Sequence, residues 1–251
     1  GTAEAGNVVT IRDGQTTLGS VVTAANGTWS FTSGTLLDGS HTISVTATDA
    51  AGNVGTATNT ITFNIDTGVP ATVTNLTVSD NVGATQGTLA NGAVTDDNTP
   101  TLQGTAEVNA IITIYDGTTV LGSTTANATT GAWTFTTAAL TDGTHPLSVT
   151  VKDAAGNISP NSATVSITID TVAPVASTLV ITNDVTSVVV PNGGSTNDTT
   201  PTLSGTVSAA EAGSRVSIYD NITGTQVLLG TAIVQANGSW SYTTVALLQG
   251  T

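Results

Sequence analysis

Tandem, all-β, two-sheet sandwiches are what this sequence predicts, and three observations carry the prediction. First, a block of about 104 residues is written roughly two and a half times. Asp49-Ala-Ala-Gly-Asn53 returns 104 residues on as Asp153-Ala-Ala-Gly-Asn157, and Ile65-Asp66-Thr67 returns as Ile169-Asp170-Thr171. Asn98-Thr-Pro-Thr-Leu102 returns 101 residues on as Thr199-Thr-Pro-Thr-Leu203. Second, Thr, Val, Ile and Ala stand in short alternating runs between Gly, Asn and Asp, as half-buried strands and tight turns require, and helical periodicity is absent. Third, Gly27-Thr-Trp-Ser-Phe31, Gly131-Ala-Trp-Thr-Phe135 and Gly238-Ser-Trp-Ser-Tyr242 mark one aromatic strand in all three copies.

In the middle copy the alternation predicts strands over 72–79, 99–106, 111–115, 119–124, 132–136, 145–152 and 163–169. Seven strands in about 100 residues, with turn signals every 8 to 12, give an immunoglobulin-like sandwich. Ile112 and Ile114, Trp133 and Phe135, and Leu147, Val149 and Val151 each share a face and form the expected core. Asp13-Gly14, Asp38-Gly39, Asp116-Gly117 and Asp142-Gly143 read as turns in which Gly supplies positive φ. The third copy lengthens one hairpin by four residues, between Asp220 and Gly230.

Units near 100 residues are large enough to bury their own cores. The expected boundaries are 1–67, a partial copy without its first strand and most of its second; 68–171, a complete copy of about 104 residues; and 172–251, a partial copy without its last two strands. Methionine is absent, and Gly1 is equivalent to Gly104 and Gly205, inside a repeat. The expectation is an excerpt from a longer chain.

There is no cysteine, so neither disulfides nor thiol chemistry is available. Three basic residues, Arg12, Lys152 and Arg215, stand against 17 acidic ones for a formal charge of −14. That balance repels nucleic acid and anionic membranes and favours a divalent cation. No apolar run approaches the ~18 residues of a membrane span, so membrane insertion is not expected.

The ordered set Asp-Asn-Thr-Pro-Thr-Leu, Gly-Thr-Ala-Glu, Tyr-Asp-Gly, Gly-x-Trp-x-Phe, Asp-Ala-Ala-Gly-Asn and Ile-Asp-Thr-x-x-Pro resembles the bacterial Ig-like repeats that build the stalks of giant adhesins. The resemblance covers essentially the whole chain. It implies type I secretion, display on a Gram-negative surface, roles in attachment and biofilm formation, and calcium between or within repeats.

Catalysis is not expected, because His41 and His145 are the only histidines and occupy one equivalent position. Lys152 invites an isopeptide cross-link, but alternation against Leu147, Val149 and Val151 turns it to solvent. Trp29, Trp133 and Trp240 would stack on sugars if exposed, yet an aromatic two residues on along the same face makes each a core plug.

The acidic residues point to metal. Glu4, Glu107 and Glu211 share one repeat position after the second strand, Asp49 and Asp153 lie in the loop before the last strand, and Asp66 and Asp170 close that strand. An immunoglobulin-like topology carries Asp66 towards Glu107, Asp153 and Asn157 of the next copy, and Asp170 towards Glu211, with Asp96 or Asp97 able to complete the second set. Clustered hard oxygens suit Ca²⁺, which takes six to eight of them. The expectation is therefore a non-catalytic, extracellular stalk segment whose partners are neighbouring repeats and, through regions elsewhere, host or abiotic surfaces. Interdomain calcium stiffens it. A carbohydrate-binding module or an accessory domain of an extracellular enzyme is the alternative.

Overall fold

The computed structural model describes residues 1–247 apart from 58, 84–85, 177, 209–210 and 223–224. The tip of the lengthened third-copy hairpin, at 223–224, and the last four residues of the third copy lie outside the described residues. The chain divides into two compact units, Gly1–Thr171 and Val172–Thr251. All the named elements are strands, and among the described residues no helix is long and apolar enough to cross a membrane.

In the first unit, β1 (Val8–Asp13), β2 (Thr16–Val22), β3 (Gly39–Thr48) and β4 (Ile61–Ile65) form one antiparallel sheet, ordered β2-β1-β3-β4. The aromatic segment of this copy departs from expectation. Trp29 and Phe31 lie outside any named strand; the segment pairs through an isolated bridge between Thr2 and Thr28, with Gly1 and Trp29 exchanging N–H···O bonds at 2.9 and 3.0 Å. A strand needs a laid-out partner for its ladder, and here the partner amounts to the few residues around Thr2.

The middle copy has two sheets. One, ordered β10-β9-β12-β13-β7, joins β10 (Thr119–Thr125), β9 (Ile111–Asp116), β12 (Gly143–Lys152), β13 (Val165–Ile169) and β7 (Ala93–Thr95). The other, ordered β11-β8-β5-β6, joins β11 (Ala132–Thr136), β8 (Thr101–Thr105), β5 (Thr77–Asp80) and β6 (Gly87–Leu89). Six pairs are antiparallel, and β7 runs parallel to β13 with Thr95 beside Ile169. Between the sheets Leu102, Ile112, Ile114, Leu147, Val149 and Ile167 are fully buried, with Trp133 and Val73 packed among them. Each such side chain contributes about 1.5–3 kcal/mol by leaving water.

Two glycines set local geometry. Gly117, at φ 57, opens the two-residue loop from Asp116 to Thr119, where a tight hairpin needs positive φ. Gly122 follows a bulge in β10 and lies under Phe135, whose ring carbon would stand 2.7 Å from an added Cβ.

The second unit contains β14 (Thr178–Asn183), β15 (Val188–Val190), β16 (Thr202–Thr206) and β19 (Ser239–Thr243) in the order β15-β14-β16-β19. A hairpin of β17 (Arg215–Ile222) and β18 (Thr225–Ile233) accompanies them. Leu203, Ile218, Ala232 and Trp240 form its core.

Candidate functional site

Lys152 pairs with Ile111, so the loop after β12 and the turn before β9 lie at one end of the middle sandwich. In the loop, the Asp153 carboxylate accepts the Gly156 and Asn157 backbone N–H groups at 2.7 and 2.8 Å and the Asn157 side-chain amide at 2.8 Å. These donors, the Asn157 amide foremost, hold the Asp153 carboxyl below the usual carboxylate range despite the opposing effect of burial. The first copy builds the same loop, where the Asn53 amide reaches the Asp49 carboxylate at 2.9 Å and lowers it likewise.

Asn157 also makes a contact 91 residues away: its side-chain nitrogen donates to the Asp66 carbonyl at 3.0 Å. Asp66 itself is exposed, and its carboxylate accepts the Gly68 N–H at 2.9 Å. Thr67 is tied the other way, its N–H and hydroxyl donating to the Asp38 carboxylate at 3.1 and 2.9 Å. Asp38 was legible only as a turn residue. Its role could have been found in the fixed spacing to Thr67, which recurs where Thr171 donates to Asp142 at 3.2 Å from the backbone and 2.9 Å from the hydroxyl.

Thus the structure brings Asp66, Asp153 and Asn157 together through backbone and amide. Glu107 is exposed in the turn at the same end. The shared position of the three glutamates has a local counterpart: each carbonyl accepts the N–H three residues on, Asn7 at 3.2 Å, Ala110 at 3.2 Å and Ser214 at 2.9 Å. Glu211 in the second unit also accepts the Ser214 hydroxyl at 3.3 Å.

At the opposite end of the middle sandwich, Asp170 donates its N–H to the Thr95 carbonyl at 2.9 Å. Asp96 is exposed and lies over Gly83. Asp97 is 0% exposed, and its carboxylate accepts the N–H groups of Asn81 and Thr99 and the Thr99 hydroxyl at 2.8–3.1 Å. Beneath it Thr95 donates to the buried Asp80 at 2.6 Å. Asp198 repeats the arrangement in the second unit, held low by the N–H groups of Asp184 and Thr200. These carboxylates tie the segment before β8, and before β16, to the end of the preceding strands. Among the described residues no three His, Asp or Glu side chains gather closely enough to hold a metal ion.

The histidines are engaged on both nitrogens. His145 meets the Asp116 carboxylate at 2.7 Å and the Thr141 carbonyl at 2.7 Å, and His41 meets Asp13 at 2.6 Å and the Leu37 carbonyl at 2.7 Å. His145 stands near the start of β12. It is largely buried, and the paired acceptors replace the water it gives up. Lys152 is exposed, as alternation required. Trp133 is 5% exposed, so its faces are closed to a sugar.

No curated protein sequence matches the chain. Among solved structures it is similar to a tetra-tandem repeat in the extending region of a large adhesion protein, at 24% identity and a TM-score of 0.31 over 99% of this chain and 61% of that one. It is also similar to the BSP domain of a biofilm-associated protein, at 18% identity and a TM-score of 0.29 over 68% of this chain and 26% of that one. Fibronectin(III)-like modules of Clostridium thermocellum CbhA give 16% identity and a TM-score of 0.35 over 68% of this chain and 80% of that one. The chain therefore spans 61% and 26% of the first two of these in length. The sequence model for the bacterial Ig-like domain matches residues 1–67 and 71–171, more than half of the chain. With the two-sheet sandwich of the middle copy, that match places the chain in the bacterial Ig-like domain family.

Proposed function

We propose that this chain is a non-catalytic extender segment of a large bacterial adhesin, secreted or held at the cell surface, where it spaces a distal binding region from the cell in attachment and biofilm formation. One observation carries the reading: each recurring motif is engaged in the sandwich or its ends. Trp133 lies in the core, His145 clamps a turn, Asp97 ties one strand to another and Asp153 organises its own loop. What repetition then adds is length. At roughly 3.3 Å per residue, the ten residues of β12 set a copy about 30 Å long. The partners in this reading are neighbouring copies of the same chain, with host or abiotic surfaces engaged elsewhere.

Calcium at the joints is the second element of the proposal. As placed, Asn157 presents donors rather than an oxygen, and the Asp153 and Asp97 carboxylates are occupied by N–H and hydroxyl groups. The exposed carboxylates of Asp66 and Glu107 at the first joint, and of Asp96 and Asp170 at the far end, are the groups an ion would draw on. Calorimetry and small-angle scattering of the 251-residue chain, with calcium and with chelator, test this element. Binding heat together with a stiffer calcium form would support the ion; identical profiles without heat would remove it and leave the extender.

The extender reading is tested by deleting these copies from the parent protein and restoring the length with unrelated rigid repeats. Attachment should fall and then recover. Failure to recover, joined to glycan-array binding by this chain, would show that the segment recognises a ligand.

A further inference from the structure

We propose that consecutive copies are locked by direct hydrogen bonds on both sides of the linker, with Asn157 of the following copy donating to the Asp66 carbonyl and Asp38 of the preceding copy receiving Thr67. The inference rests on the extender reading and names its joint.

Three successive linker residues are each tied. Asp66 is bonded forward through its carbonyl, at 3.0 Å from the Asn157 nitrogen. Thr67 is bonded backward by N–H and hydroxyl to Asp38, at 3.1 and 2.9 Å. Gly68 closes on the Asp66 carboxylate at 2.9 Å, which turns the chain between the two anchors. The forward anchor is prepared in advance. Asp153 holds one hydrogen of the Asn157 amide at 2.8 Å, so the other is aimed out of the loop before any linker arrives. An amide is required there, since it meets a carboxylate and a carbonyl that are both acceptors. Asn53 is oriented by Asp49 in the same manner. Each Asp-Ala-Ala-Gly-Asn loop is on this account a docking surface for an extended backbone carbonyl, and the Asp-Gly and Ile-Asp-Thr motifs are its counterpart on the preceding copy.

This lock and a calcium joint differ in what they demand of residue 157. Asn157→Asp adds an oxygen ligand and should strengthen a cation site, whereas it removes the forward donor of the lock and sets the 157 and 153 carboxylates and the Asp66 carbonyl together as three acceptors. Backbone order parameters of Thr67 and Gly68, measured by ¹⁵N relaxation on the 251-residue chain in chelator, decide between them. The native linker should be as rigid as a strand, near 0.85, and Asn157→Asp should bring it below about 0.6. Asn157→Ala, which removes the donor without adding charge, should do the same. Asn53→Asp perturbs the identical loop away from this linker and should leave Thr67 unchanged; core resonances of the middle copy report that each variant is folded. A native linker already mobile in chelator, or one unaffected by both Asn157 variants, overturns the lock. A native linker rigid only with calcium, and stiffened further in Asn157→Asp, assigns the joint to the ion and leaves the extender reading standing.

Discussion

Ile43, Val45 and Phe63 in the first copy occupy the strand positions of Leu147, Val149 and Ile167 in the middle copy, and their surroundings differ sharply. Phe63 is 40% exposed while Ile167 is 0% exposed, and Ile43 and Val45 are half-buried while Leu147 and Val149 are sealed. The strands and their order are alike, β2-β1-β3-β4 against β10-β9-β12-β13. The facing layer is what changes. In the middle copy four strands, β11-β8-β5-β6, cover the sheet; in the first, the Thr2–Thr28 bridge stands there beside an open hollow of about 420 Å³ lined by Trp29, Val45, Ala47 and Ile61. Alternation writes a sheet with an apolar face. Only a second layer turns that face into a core.

The largest expected effect follows directly. Residues 68–171 alone should unfold in one cooperative thermal transition, and residues 1–67 alone should show none, since a lone sheet forgoes about 1.5–3 kcal/mol for each large side chain it leaves wet. Circular dichroism and calorimetry of the two fragments check this. A cooperative transition in 1–67 would mean that one layer suffices, and the comparison would fail.

A single side chain gives the next effect. Trp133→Ala should cost the middle copy about 3–5 kcal/mol, because Trp133 is 5% exposed and packs on Gly104 and Val73. Trp29→Ala, at the equivalent place in the open copy, should leave the middle transition where it is, as distant sites add independently. Denaturant melts of the whole chain measure both. Equal losses would show that the two copies unfold as one body.

How much of this was legible in sequence depended on the range of the interaction. Strands with strong alternation, such as 111–115 and 132–136, appear as β9 and β11 with almost the same bounds. The short β6 and β7 were missed. β7 has three residues and exists through its parallel pairing with β13, some 70 residues on, for which no local pattern is available. The first strand was read from 72 but pairs only over Thr77–Asp80, with Val73 packed into the core ahead of it. At the joint, recurrence singled out Asp66, Glu107, Asp153 and Asn157 as a calcium set, and Asn157 donates to the Asp66 carbonyl there. It gave no means of telling a donor from an oxygen ligand, and it left Asp38 and Asp142 as turns because their partners lie 29 residues away. Asp97 was read as a residue able to complete the second calcium set, but its seat beneath the strands depends on N–H groups of Asn81 and Thr99 that only folding assembles.

The smallest effect concerns the histidine that both copies share. His145 has an acceptor at each ring nitrogen, the Asp116 carboxylate and the Thr141 carbonyl, and a neutral imidazole can donate to only one of them. Burial works against protonation of His145, but the Asp116 and Thr141 acceptors outweigh it and raise the pKa above the usual histidine value. At His41 the bond to Asp13 is the leading influence, with the Leu37 carbonyl next, and the pKa is raised there too. A group whose pKa is higher folded than unfolded lends stability that is complete below the unfolded value, about 6.5, and is lost as pH rises through the folded value. The middle-copy melting temperature should therefore fall as pH rises above about 6.5, with His145→Gln removing most of that slope. Proton NMR titration of the two imidazoles sharpens the comparison: both should titrate above the unfolded value, in the open copy as in the sealed one. Asp13, held low by His41 and the Thr42 N–H, adds the converse dependence, stability present above the unfolded carboxylate value and lost as pH falls through its own. An imidazole at 145 that titrates below the unfolded value, or a melting temperature independent of pH in the native chain, would show that the ring is held neutral with one nitrogen idle, and that sealing the core removes the clamp that the open copy keeps.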